Sequence, residues 1–161
     1  MLTKCDFHNI DGTHTYSLNS DVAPLTDFDV TVPQRAETSR NKSQQHGIYP
    51  TNTLRGGMEI HVEGSLFGTD STGYVTERLA LITALFGVPT LTPTMTDRKL
   101  GYIQVGLSGQ SEDWIADVTI SAFSAPIKGL YPAVSPFLVT FFSWTPWFWG
   151  ATTPANLYYW S

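Results

Sequence analysis

Residues 54–87, LRGGMEIHVEGSLFGTDSTGYVTERLALITALFG, constrain the fold more than any other stretch of the chain. They read as strand, loop, helix and stop. From Met58 to Leu66 apolar and polar side chains roughly alternate, with Met58, Ile60 and Val62 on one side and Glu59, His61 and Glu63 on the other. A period of two places one row against a core and the other toward solvent or a partner. Gly56-Gly57 is a turn signal before the strand, and Phe67-Gly68 ends it. Thr69-Asp70-Ser71-Thr72 then offers several helix N-caps. Val75, Leu79, Ile82 and Phe86 recur at helical spacing, so they mark one face of a helix over about residues 72–86. Gly87 stands where a left-handed C-cap residue belongs, and Pro89 bars continuation.

The rest of the chain supplies strands to pack against this unit. Asp11-Gly12 favours a tight hairpin between residues 7–10 and 13–18. Phe28, Val30 and Val32 alternate with Asp29 and Thr31, a half-buried strand stopped by Pro33. Residues 90–94 suit a short strand between two prolines, and residues 101–106 and 114–123 alternate again. The last of these keeps Phe123 on the side of Trp114, Ala116, Val118 and Ile120 only if a bulge intervenes. Residues 136–144 are apolar on both faces, as expected of an interior strand or of one whose second face meets a partner. Between strands, residues 34–53 form a polar excursion with only Ile48 and Tyr49 as large apolar residues. A loop of that length is unusual inside a compact domain. The expectation is a long β-hairpin arm or loop, over about residues 34–56, steadied by a neighbouring subunit because an isolated hairpin is marginal in water. The count of seven or eight strands and one helix predicts a mainly β fold, an antiparallel β-sandwich or flattened barrel with the helix over an open side.

At 161 residues one domain is expected, large enough to bury roughly 70% of its unfolded surface without staples. The single Cys5 cannot form an internal disulfide. Residues 1–11 are polar and no apolar run reaches the ~18 residues of a membrane span, so a soluble protein of cytosol-like conditions is expected, with no membrane insertion. The net charge of −5 and nine basic residues argue against a nucleic-acid patch. No site for catalysis, cofactor or metal is expected. Glu59, His61 and Glu63 could ligate a metal, but no other His or Cys is placed to complete a site. His46-Gly47 has no nucleophile and carboxylate orienter beside it. Glu112, Asp113 and Asp117 read as surface acids of a hairpin. The aromatic residues Trp144, Trp147, Phe148 and Trp149 remain open between core, inter-subunit anchor and sugar-stacking platform.

Several of these stretches together resemble a known family. A strand ending near Pro33-Gln34-Arg35, the loop with His46-Gly47, the run from Gly57 to Gly64 and the helix run from Glu77 to Leu85 are similar to the N-terminal domain of distal tail proteins of long-tailed bacteriophages. Residues 115–149, ending in Pro-Trp-Phe-Trp, resemble the end of that domain, so the likeness spans about residues 20–150. It implies a single tail-ring β-sandwich domain over residues 1–161, with an aromatic C-terminal extension over about residues 145–161. It further implies a homo-oligomeric ring, a hexamer, at the tail tip of the virion, made in the host cytoplasm. That ring would join the tail tube protein to the tail hub protein and surround the DNA channel. A galectin-like second domain often follows in the family; the sequence stops at Ser161, so receptor binding through such a domain is not expected. On this reading the inter-subunit candidates are Arg35, His46, Tyr49, Glu59, His61, Glu63, Trp147 and Trp149. Some of Asp29, Glu37, Glu59, Glu63 or Asp97 would face a channel that must not hold phosphate. The alternatives are a phage tail tube protein, or a carbohydrate-binding module using the C-terminal aromatics.

Overall fold

The computed structural model describes residues 1–10, 14–32, 40–41, 48–49, 57–87, 100–127 and 133–160. The expected strand over residues 90–94 lies outside them, as does most of the 34–56 excursion. The strands are β1 (Leu2–Asn9), β2 (Thr15–Ser17), β3 (Leu25–Thr31), β4 (Arg40–Asn41), β5 (Ile48–Tyr49), β6 (Met58–Phe67), β7 (Leu100–Leu107), β8 (Trp114–Ser124), β9 (Val134–Ser143), β10 (Phe148–Gly150) and β11 (Leu157–Tyr158), and the helix is α1 (Ser71–Phe86). The fold is mainly β and antiparallel, and its sheet is not closed into a barrel. One sheet runs in the order β2-β1-β7-β8-β9-β6-β3, with β10 adding to β8 and β11 to β10. β4 and β5 pair with each other, Arg40 opposite Tyr49, so the polar excursion does contain a hairpin.

β8 is the strand at which the sheet turns. Its first half pairs with β7 on one edge and β10 on the other, and its second half pairs with β9. The pairing with β9 shifts register between Ile120 and Ala122, which is the bulge the alternation required, and a bulge bends its strand. The inner faces then meet: Phe7 of β1 stacks on Phe141 of β9 with ring centroids 5.4 Å apart, although β7 and β8 lie between those strands in the sheet. The core between the halves contains Cys5, Phe7, Ile103, Val105, Ala116, Val118, Phe137, Val139 and Phe141 together with Met58, Ile60, Val62 and Leu66 of β6. Burial pushes the Cys5 thiol up, so it stays neutral among these residues.

The helix packs against β6, β1 and β2 and covers the open side of this sandwich. Asp70 caps it, its carboxylate accepting from the Gly73 amide at 2.7 Å. Gly87 ends it at φ 75°, with its amide donating to the Thr83 carbonyl. The buried stripe, however, is Tyr74, Leu81, Ala84 and Leu85, not the expected Val75, Leu79, Ile82 and Phe86. Val75 and Leu79 are exposed, and Phe86 is half-buried with its ring edge-on to Phe123. The helix carries apolar residues on two stripes about a third of a turn apart, so periodicity alone could not choose between them. Tyr74 reaches the Pro126 carbonyl and Arg78 the Ala125 carbonyl, and these contacts set the rotation.

Candidate functional site

Core packing fixes which way β6 faces. With Met58, Ile60, Val62, Gly64 and Leu66 turned inward, Glu59, His61 and Glu63 must point outward. The neighbouring strands add to that row. On β3, Thr31 lies opposite Glu59, Asp29 opposite His61 and Asp27 opposite Glu63. On β9, Phe142, Thr140 and Leu138 lie opposite the same three residues. The outer face of β3 and β6 therefore gathers Asp27, Asp29, Glu59 and Glu63 around one histidine. His61 Nδ1 lies 3.2 Å from Thr140 Oγ1, and its Nε2 lies 3.6 Å from Glu59 Oε2. Thr31 donates to Asp29 at 3.3 Å. Lysine and arginine are missing from this row among the described residues.

The row is poorly shaped for a metal. A strand advances about 3.3 Å per residue, so Glu59 and Glu63 stand roughly 13 Å apart along β6 and cannot close on one ion. No group of three or more His, Cys, Asp or Glu side chains able to hold a metal is found among the described residues. What the face offers is a negative field over a surface about two strands wide.

The aromatic end of the chain is organised differently. Phe148 is fully buried, and Trp147 and Trp149 are half-buried. Tyr158 stacks on Trp114 at 4.6 Å, and Trp160 packs against Phe28, Trp114 and Phe148. The segment is thus laid back over its own sheet. Glu112, in the β7–β8 connection, clamps it: its carboxylate accepts from the Thr152 and Thr153 amides at 3.0 and 2.9 Å, from Asn156 Nδ2 at 2.8 Å and from the Tyr158 hydroxyl at 2.7 Å. The bonds from Asn156 and Tyr158, then those from the amides, hold the Glu112 carboxyl down at about 2. Asp113 accepts from Lys4 at 3.1 Å and from Gln104 at 2.6 Å, tying the same connection to β1 and β7. Trp144, in the turn between β9 and β10, is 74% exposed.

Of the expected site residues, Glu59, His61 and Glu63 share one face with Asp29. Trp147 and Trp149 lie beyond the end of β9 and are not part of that row. Tyr49 lies in β5, and Arg35, His46, Glu37 and Asp97 lie outside the described residues. Asp27 was missed because the alternation starts at Phe28. The strand begins at Leu25, and a register shift between Leu25 and Asp27 hides its first turn from a period-two reading. The Glu112 clamp was missed because its partners lie some forty residues later, and no local pattern announces such a bond.

No protein-family model matches the chain, and no curated protein matches it. Solved structures do share its fold. One is the Dit protein of phage SPP1, described as a paradigm of the hub adsorption apparatus of phages infecting Gram-positive hosts: TM-score 0.59 at 13% identity, over 92% of this chain and 52% of that one. Another belongs to the phage P2 baseplate in its activated conformation with Ca: TM-score 0.55 at 10% identity, over 88% of this chain and 44% of that one. The chain spans about half the length of the solved structures it matches.

Proposed function

We propose that this chain is a structural, non-enzymatic component of a phage tail tip. Copies of it form a ring, a hexamer, that joins the tail tube protein to the tail hub protein and surrounds the DNA channel. The fold it shares with the SPP1 Dit protein and the P2 baseplate chain supports that role, and residues 1–161 act as the ring unit. The observation that carries the channel assignment is the outer face of β3 and β6. Asp27 sits directly opposite Glu63, with Asp29 and Glu59 beside them, and like charges paired across strands weaken an isolated sheet. A surface that must let a polyphosphate slide past needs such a field, because it binds no phosphate and releases no counterions.

The edges of the sheet suit assembly. Among the described residues β3 ends the strand order, and its outer edge would offer backbone groups to a neighbour. In the ring Glu59, His61 and Glu63 lie near the joint or the lumen, and Arg35, His46 and Tyr49 of the polar arm reach the adjacent copy. Trp147 and Trp149 contribute through the edges they leave exposed.

Native mass spectrometry and negative-stain microscopy of the purified chain test this reading. Six-fold rings are the expected species. A monomer that persists at micromolar concentration counts against the ring, and long open tubes assign the chain to the tube instead.

A further inference from the structure

The outer face of the sheet carries a second feature, independent of the acidic row. Across three strands Asp117 of β8 lies opposite Tyr102 of β7, and Tyr102 lies opposite His8 of β1. The His8 and Tyr102 rings stack at 4.4 Å with only 8° between their planes, so His8 covers one face of the phenol ring and fixes its plane. Beyond the end of β9, Trp144 stands edge-on to Phe142 at 5.0 Å and 90°. Between the two aromatic side chains is a cleft of about 340 Å3, bounded by Tyr102, Trp144, Asp117, Thr119, Asn9 and Ile10. That volume lies at the small end of the ligand-pocket range, roughly 300–1,000 Å3.

We propose that this cleft binds a neutral mono- or disaccharide, stacked on Trp144 and Tyr102 and oriented by Asp117. Three observations select that class of ligand. Trp144 is 74% exposed and Tyr102 36% exposed, so neither is spent on the core, and Tyr102 keeps one ring face that His8 does not cover. An aromatic face takes the C–H face of a pyranose as it takes other apolar surface. Asp117 is exposed and makes no hydrogen bond or ion pair with the described residues, so its carboxylate is available to sugar hydroxyl donors. Thr119 spends its proton on the Phe142 carbonyl at 3.4 Å and keeps an acceptor toward the cleft. Among the described residues no basic side chain lines the cleft, and the Asp117 carboxylate there disfavours phosphorylated and other anionic ligands. An extended peptide is also disfavoured, because β7 is paired on both edges, with β1 and with β8, and has no free edge to receive a strand.

The inference does not rest on the ring. It is tested by saturation-transfer NMR and intrinsic tryptophan fluorescence of the full chain, with glucose, galactose, rhamnose and N-acetylglucosamine, their disaccharides, and glucose-6-phosphate as the anionic control. The expected result is binding of at least one neutral sugar and none of the phosphate. Trp144→Ala and Tyr102→Ala each weaken that binding about tenfold, as loss of one stacking contact near 1.4 kcal/mol requires. Asp117→Asn weakens it less, and Trp149→Ala leaves it unchanged. Circular dichroism confirms that each variant is folded. Absence of any neutral-sugar signal at millimolar concentration overturns the proposal. So does a Trp144→Ala variant that assembles less but binds sugar as before, since Trp144 would then be seated on a second copy. A ring that binds no sugar removes this inference alone; a sugar-binding monomer removes the ring reading alone.

Discussion

Glu63→Lys is expected to stabilise the isolated chain. Glu63 lies directly across from Asp27, and directly opposed residues place their Cβ atoms about 4.5–5.5 Å apart. A like-charged pair at that position costs roughly 0.2–1 kcal/mol, and an opposite-charged pair returns a similar amount. Lysine changes the sign of the term, so the expected gain is about 0.5–2 kcal/mol, while Glu63→Gln, which only removes the repulsion, gains about half of that. Both side chains face outward and neither replacement touches the core. The assay is urea unfolding followed by tryptophan fluorescence at low salt and near 1 M salt, where the Debye length falls to about 3 Å. The gain should shrink at high salt, and the m-value should not change, because the exposed area is the same. A Glu63→Lys chain that is less stable than the original at low salt, or whose gain ignores salt, would refute the reasoning. In assembled rings the same change should be harmful, because it introduces a cation into the face assigned to the channel.

Phe141→Ala removes the ring that Phe7 stacks on and should cost about 3–5 kcal/mol in urea, with Phe7→Ala costing less after it than in the original chain because the two share one contact. Gly64→Ala is expected to cost about 1–3 kcal/mol through overpacking. An added Cβ there would stand 2.6 Å from the Pro24 carbonyl oxygen and 2.7 Å from the Phe137 ring; thermal unfolding reads the loss. Acid should release the C-terminal segment locally. The Glu112 carboxyl is lowered from an ordinary value of 4.5 to about 2 by its bonds to Asn156, Tyr158 and the two amides, so the clamp is fully present above pH 4.5 and is lost as pH falls through about 2. Protection of the Thr152 and Thr153 amides from hydrogen exchange, relative to their intrinsic rates, should fall over that window before the core opens, and Glu112→Gln should lack that protection at every pH.

Much of the fold is legible in the sequence wherever a local period reports a local environment. β6 alternates cleanly because it lies between β9 and β3 with one face on the core, and the bulge in β8 is announced by the jump from Ile120 to Phe123. Asp70 and Gly87 mark the helix ends by their chemistry. The failures share a cause. Val75 and Leu79 look like core because α1 is apolar on two stripes, and only contacts from Tyr74 and Arg78 to Pro126 and Ala125, just past β8 and about fifty residues away, decide its rotation. The aromatic segment looks unpartnered because its partners, Phe28, Trp114 and Glu112, are scattered through the chain. The acidic row is visible on β6 alone, and its doubling by β3 needs the register.

The two surfaces proposed to act are parts of one outer face, and the bend at β8 keeps them compatible. Phe7 meets Phe141 through the core, so β1 and β9 turn their inner sides toward each other and their outer sides apart. A ring that lines its channel with the outer face of β3 and β6 therefore carries β1 and β7, with Tyr102, on the far side of the core. Trp144, at the end of β9, stands at the turn between the two. If an assembled structure placed Tyr102 in the lumen, β3 and β6 would face outward, and the acidic row would need a reason other than DNA.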